Sequence, residues 1–171
     1  RIVDMQKKMN IKIKNRESFR PFAPAILEEF KSEYFNLLTE SPYMLFTRNL
    51  NDKFLKKPKK IPDKNYEGLE KVNQIRSSLP AITHIDNSCR VQTVSNKRNE
   101  KFHQLLTSFY DLTGCPVLIN TSFNVRGEPI VCTPEDALKC FIFTEIDILV
   151  LGNFIIDKKN INTKLKDRFT R

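Results

Sequence analysis

The stretch from Asn99 to Asn124 constrains the fold more than any other part of the chain, because it switches hydrophobic period within a few residues. Phe102, Leu105, Leu106, Phe109 and Leu112 recur at helical spacing, Gly114 stops the helix, and Pro116 to Asn120 is a short apolar run of strand length. A helix delivered straight into a strand belongs to an α/β domain. The rest of the chain agrees. Phe22 to Leu27 reads as a buried strand that Pro21 and Pro24 should confine to an edge or a bulge. Tyr43 to Leu50, Ala81 to Val94 and Glu128 to Cys132 are further strand candidates, and Asp147 to Leu151 pairs with Asn153 to Ile156 through a turn at Gly152. Thr133 is placed to cap a helix with Pro134 at its first position and Glu135 and Asp136 in its first turn. Residues 2 to about 13 predict a leading amphipathic helix, and residues 51 to 78 a polar, mobile excursion. The expected fold is therefore α/β, a twisted mixed β-sheet with flanking helices.

At 171 residues and 40% hydrophobic content, one compact domain is expected. No apolar run approaches the roughly 20 residues of a membrane-spanning helix, and the polar start RIVDMQKKMN does not resemble a signal peptide, so a cytoplasmic location is expected. Cys89, Cys115, Cys132 and Cys140 form no CxxC pair and read as buried thiols. The net charge of +9 favours anionic partners. Much of it sits in Lys53, Lys56, Lys57, Lys59 and Lys60, where a solvated loop is preferred over a nucleic-acid contact.

Candidate chemistry lies on alternating positions. His84, Asp86, Ser88, Arg90 and Gln92 would share one strand face, and Asn120, Ser122 and Asn124 alternate in one register of their own at a strand end, where α/β sheets bind ligands. Lys14, Arg16 and Arg20 form a cationic cluster ahead of an apolar run. None of the four glycines falls in a phosphate-binding motif, so side chains would have to hold any phosphate. His84 with Asp86 are too few for a metal site, and orientation by hydrogen bonding is the preferred reading. His103 reads as an exposed helix residue.

The words KNRESFRPFAPAILEE, HIDNSCRVQTV, FHQLLTSFYDLTGCPVLINTSFNVRGEPIVCTPEDAL and IDILVLGNF follow one another as in the carbamoyltransferase family, which this chain resembles from about residue 4 to residue 154. The resemblance implies the C-terminal domain of an ATP-dependent O-carbamoyltransferase, with a YrdC-like fold. Such a domain takes carbamoyl phosphate and ATP, with Mg2+ carried by the nucleotide, and forms carbamoyl adenylate. An actin-like N-terminal domain, holding iron or another metal and absent here together with the segment that links it, then transfers the carbamoyl group to an acceptor hydroxyl. By motif position the ligand-binding residues fall on Lys14, Arg20, Arg90, Ser122 and Asn124, with Lys14 and Arg90 catalytic and His84, Asp86 and Asn120 supporting. All five binding residues are expected to converge on the phosphates of the nucleotide. The competing readings are a basic nucleic-acid-binding module and a non-catalytic scaffold for the missing domain.

Overall fold

A computed structural model describes residues 2–57, 67–72 and 74–169. In chain order its elements are α1 (Met5–Lys12), β1 (Ala23–Leu27), α2 (Lys31–Phe35), β2 (Phe46–Asn49), α3 (Gly68–Val72), β3 (Ser88–Val94), α4 (Glu100–Thr113), β4 (Val117–Asn120), α5 (Pro134–Phe143), β5 (Ile148–Leu151), β6 (Phe154–Asp157) and α6 (Thr163–Phe169). They form two compact units, one of residues 1–6 and 19–121, the other of residues 7–18 and 122–171.

The first unit holds a mixed four-stranded sheet of order β2-β3-β1-β4. Strand β1 runs parallel to β3 and antiparallel to β4, and β2 runs antiparallel to β3. The mixed α/β class expected from the alternation of periods is thus what forms. Every residue of β1 is buried, as a strand flanked on both sides and covered on both faces requires. This corrects the expectation that Pro24 pushes it to an edge. Leu27 N–H donates to Pro116 O, and the alternation of the antiparallel ladder then leaves Pro24 at a non-hydrogen-bonded position opposite Ile119. The nitrogen of Pro24 faces β3, where the parallel pairing begins only at Ala25. No ladder bond is lost, so proline is tolerated at the centre of the sheet.

Helix α4 starts at the Asn99 cap, whose side chain accepts from Phe102 N–H, and stops at Gly114 in the left-handed region at φ +64°. Its core contact is Leu106, which packs with Ala25, Leu27 and Val94 while Phe102, Tyr110, Phe30 and Leu118 close the edge of the cluster. Leu105 and Leu112 are exposed instead, so the buried stripe is rotated from the expected one. His103 is not simply exposed either: its Nε2 lies 2.7 Å from Glu29 Oε1.

The strand expected over Ala81 to Val94 begins late. Pro80–Ile82 is a single 3-10 turn, and His84 N–H donates to Ser88 O while Asn87, at φ +64°, reverses the chain into β3. Of the excursion, residues 58–66, with Lys59 and Lys60, and residue 73 lie outside the described residues, whereas α3 and a bridge between Leu55 and Ser77 give defined structure to described parts of it.

In the second unit α5 carries the expected cap: Thr133 Oγ1 accepts from Asp136 N–H, the Asp136 carboxylate accepts from Thr133 N–H, and Pro134 opens the helix. Phe141, fully buried, packs with Ala137 and Leu149 under Val131, Leu138, Leu151 and Ile156. The hairpin β5–β6 turns at Gly152, φ +59°, as expected. Glu128 to Cys132 forms no strand; it is exposed chain tied down by Val131 N–H donating to Phe123 O. Cys132 is exposed there, the exception to the buried thiols expected. Helix α1 forms where the sequence places it, but the residue it buries is Asn10, and Ile11 is exposed. Asn10 Oδ1 accepts from the Arg16 guanidinium at 2.6 Å and its amide donates to Ser18 O, so a polar contact anchors this end of the chain rather than an apolar stripe. No helix among the described residues is long and apolar enough to cross a membrane.

The bonds that cap α5 hold the Asp136 carboxyl below its ordinary range, the hydrogen bonds with Thr133 first among the causes. A carboxylate with a depressed folded pKa adds stability that is complete above its unfolded value of about 3.9 and fades as the pH falls through the lower folded value. Asp136→Asn should therefore melt earlier than the wild type at neutral pH, and the gap should shrink below about pH 4. A gap that stays constant from pH 7 to pH 3 would show that the charge contributes nothing.

Candidate functional site

The residues singled out by sequence fall into a group in each unit. In the second unit, α1 ends with Ile13 and Lys14 N–H both donating to Met9 O, and Asn15 at φ +48° closes the helix. This termination turns Lys14 inward until only 4% of its surface is exposed. Its Nζ donates to Ser122 O at 2.8 Å, Asn124 O at 2.7 Å and Asn124 Oδ1 at 2.7 Å, with Ser122 Oγ at 3.3 Å. Ser122 Oγ donates to Asn124 Oδ1 at 2.7 Å, and Asn124 Nδ2 donates to Glu128 O at 2.8 Å. Three of the five expected ligand-binding residues are thus bonded to one another directly.

An ammonium has three hydrogens, and here all of them are taken by the loop. Lys14 has no carboxylate among these partners, and burial, with a smaller contribution from Arg16, pushes its pKa down. The geometry makes Lys14 the pin that shapes the loop from Ser122 to Glu128. That shape leaves the amide hydrogens of Ser122, Phe123 and Val125 without a backbone acceptor among the described residues. Amides presented by an irregular turn are donors for an anion. Nothing in the spacing of Lys14 and Asn124 distinguishes a lysine that holds a loop from one that holds a ligand.

In the first unit the face on which α4 packs against Ala25, Leu27 and Val94 turns polar toward the other end of the sheet. Cross-strand partners share a face, so Thr47 stands beside Arg90, Asn49 beside Ser88, and Gln92 beside Ala25. Two residues back along the parallel pair, Ala23 follows Arg90, and across β1 it meets Asn120. Thr47, Arg90, Ala23 and Asn120 therefore form a row running across all four strands. Arg90 is exposed, and among the described residues its guanidinium has no hydrogen-bond or ion-pair partner. Arg98 and Arg126 differ, bonding Glu40 and Glu17 respectively. Gln92 and Asn120 are hydrogen-bonded, the Asn120 amide donating to Gln92 Oε1, and Gln92 Nε2 in turn donates to Pro42 O at 3.1 Å. Sequence spacing placed Arg90 and Gln92 on one face; that Asn120 shares it, and that Thr47 and Asn49 do, follows only from the register of the paired strands.

His84 and Asp86 lie in the turn before β3, not on the strand. Asp86 Oδ1 accepts from Ser88 N–H at 3.0 Å, and the hydrogen bond with the Ser88 side chain leads the causes that hold its carboxyl below the usual range, with His84 as a lesser electrostatic cause. These two residues fix the entry into the strand that carries Arg90. Among the described residues no group of three or more His, Cys, Asp and Glu is gathered to hold a metal. Arg20 belongs to the first unit and is exposed. Lys53 of the basic run pairs with Glu33 at 2.9 Å and lies over the Phe54 ring.

Comparison with known proteins adds to this geometry. The family described as "Carbamoyltransferase C-terminus" matches residues 1–158. An uncharacterized protein of Synechocystis sp. is 56% identical over 154 residues, which cover 90% of this chain and 25% of that protein. Nodulation protein NolO of Bradyrhizobium diazoefficiens is 37% identical over 153 residues, 89% of this chain and 24% of the relative. The 3'-hydroxymethylcephem-O-carbamoyltransferase of Amycolatopsis lactamdurans is 33% identical over 141 residues, 82% of this chain and 23% of that enzyme. The chain spans about a quarter of the length of these relatives.

Proposed function

The chain belongs to the carbamoyltransferase C-terminus family, and from that premise we propose that it forms carbamoyl adenylate from carbamoyl phosphate and ATP, for transfer to an acceptor hydroxyl by the remainder of a longer polypeptide. Its likeness to the YrdC-type fold and a cytoplasmic setting belong to the same proposal. One observation supports it above the others: an unpartnered arginine, Arg90, stands on an otherwise neutral, hydrogen-bonding sheet face.

In this reading water hydrolyses carbamoyl phosphate to carbamate and inorganic phosphate, releasing a proton to solvent, and a carbamate oxygen attacks the α-phosphorus of ATP. A new O–P bond forms, the bond to the β-phosphate breaks, and pyrophosphate leaves with the electron pair. The nucleophile is already an anion, so the protein supplies orientation and charge neutralisation rather than a base. Arg90 and Arg20 neutralise phosphate oxygens, Arg90 through a planar fork that matches two oxygens at once. In the other unit, Ser122 and the free amides of the loop pinned by Lys14 are donors suited to phosphate or carbamoyl oxygens. Mg2+ enters with the triphosphate, held by its oxygens and by water.

ATP, and AMP more weakly, should raise the melting temperature of the chain, because a ligand at a hundred times its Kd adds about 2.7 kcal/mol. Arg90→Ala should abolish most of that shift while leaving the unliganded melting temperature within about 1–2 °C of wild type, since the side chain is exposed and unpartnered. Equal shifts in the two proteins would remove Arg90 from the site. A basic nucleic-acid module would instead be retained on a polynucleotide column with steep salt dependence.

A further inference from the structure

The geometry points to a carbamoyl-selective end of the sheet-face site, set by Asn120 and oriented by Gln92, at which the Asn120 carbonyl oxygen accepts a hydrogen bond from the amino group of the ligand. The inference rests on the function proposed above and adds to it the atom that tells a carbamoyl group from an acyl group.

The orientation of Asn120 is set from a backbone carbonyl. Pro42 O can only accept, so the Gln92 side chain that meets it must present its Nε2. Gln92 Oε1 is thereby turned toward Asn120 and can only accept, so Asn120 must present its Nδ2. Each amide in this chain of three is fixed by the one before it. The consequence is at the far end: Asn120 Oδ1 has no donor among the described residues, and it cannot exchange places with Nδ2 without setting nitrogen against Pro42 O or oxygen against oxygen. Asn120 ends β4, is half-buried, and stands beside the methyl of Ala23. An open acceptor of fixed orientation calls for a ligand donor.

The other end of the same row is Arg90, two strand spacings or about 10 Å away across the backbone. Between them lies the small, buried side chain of Ala23. A ligand fitting this row is anionic at one end and carries an N–H donor at the other, within the span of a few bonds. Carbamoyl phosphate and carbamoyl adenylate both satisfy this. Acetyl phosphate satisfies it at the anionic end only, since a methyl replaces the amino group at nearly unchanged size.

Gln92 is a positioning residue, and its removal has a readout that simple loosening of the sheet does not share. Titration calorimetry of this chain with carbamoyl phosphate and with acetyl phosphate should give the wild type a preference on the order of tenfold or more for the carbamoyl compound, because acetyl leaves a partly buried acceptor unpaired. Gln92→Leu frees the Asn120 amide to turn over, and should bring the two affinities within about twofold of each other while acetyl phosphate binds as before. Asn120→Ser, a smaller change at the strand end, gives the same readout if Gln92→Leu does not fold. A preference that survives in either folded variant overturns the inference, as does loss of both ligands from a variant that melts like the wild type, because the phosphate end does not depend on the amide chain. A wild type that binds both compounds equally overturns the inference alone; a wild type that binds neither overturns the proposed function with it.

Discussion

Lys14→Met is expected to lower the stability of the chain by about 3 kcal/mol, seen as a fall in melting temperature of roughly 6–12 °C for a protein of this size. The physical reason is the number of acceptors that one buried ammonium serves. Methionine fills the space of the lysine stem but leaves Asn124 O without its donor and takes one from Ser122 O and Asn124 Oδ1, which keep only Asn124 N–H and Ser122 Oγ. Each unsatisfied buried acceptor costs on the order of 1–3 kcal/mol, and the total is reduced because the desolvated charge is removed and the loop can open to water. Lys14→Arg should not restore stability, since a flat fork of donors cannot surround a point where four oxygens converge. The loop should lose hydrogen-exchange protection from Asn124 to Val131 in the same variants. If Lys14→Met melts within 1 °C of the wild type, the ammonium holds nothing, and its role must be sought at the ligand instead.

The second large effect is Phe141→Ala, for which a loss of about 3–5 kcal/mol is expected. Phe141 is fully buried between α5 and the hairpin, touching the cluster formed with Ala137 and Leu149. Its ring also lies 4.5 Å from Lys158 Nζ, which bonds the carbonyl oxygens of Phe141 and Ile142. Truncation therefore removes packing and a cation contact together, and chemical denaturation should show the lower midpoint with an unchanged slope. Phe141→Leu, which keeps most of the volume, should cost much less. A small effect of the alanine variant would mean that the surrounding side chains collapse into the space.

How much of this was legible in the sequence depends on the range of the interaction that decides each feature. Local chemistry was legible: the Thr133 cap, the stop at Gly114 and the turn at Gly152 are each set by a handful of adjacent residues. Pairing was not. Pro24 looked like an edge marker because its harmlessness depends on where the ladder with β3 begins, more than sixty residues away. The start of β3 was placed too early because a polar segment that alternates can equally be a turn that bonds itself, as Asp86 and Ser88 do. Glu128 to Cys132 has strand-forming residues but no neighbour to pair with. In the site, the sequence brought Lys14, Ser122 and Asn124 to attention through their resemblance to family motifs, yet whether an ammonium faces inward or outward is decided by the left-handed turn at Asn15. Thr47 needed a register that only the folded sheet supplies.

The central position of β1 also has a consequence for how the chain is made. Its partners on either side, β3 and β4, end at residues 94 and 120, so the first strand of this sheet to leave the ribosome must wait for the last. Such a nascent strand, wholly apolar, is exposed to sticking during synthesis, and chaperone dependence should fall on the interval between translation of Leu27 and of Asn120.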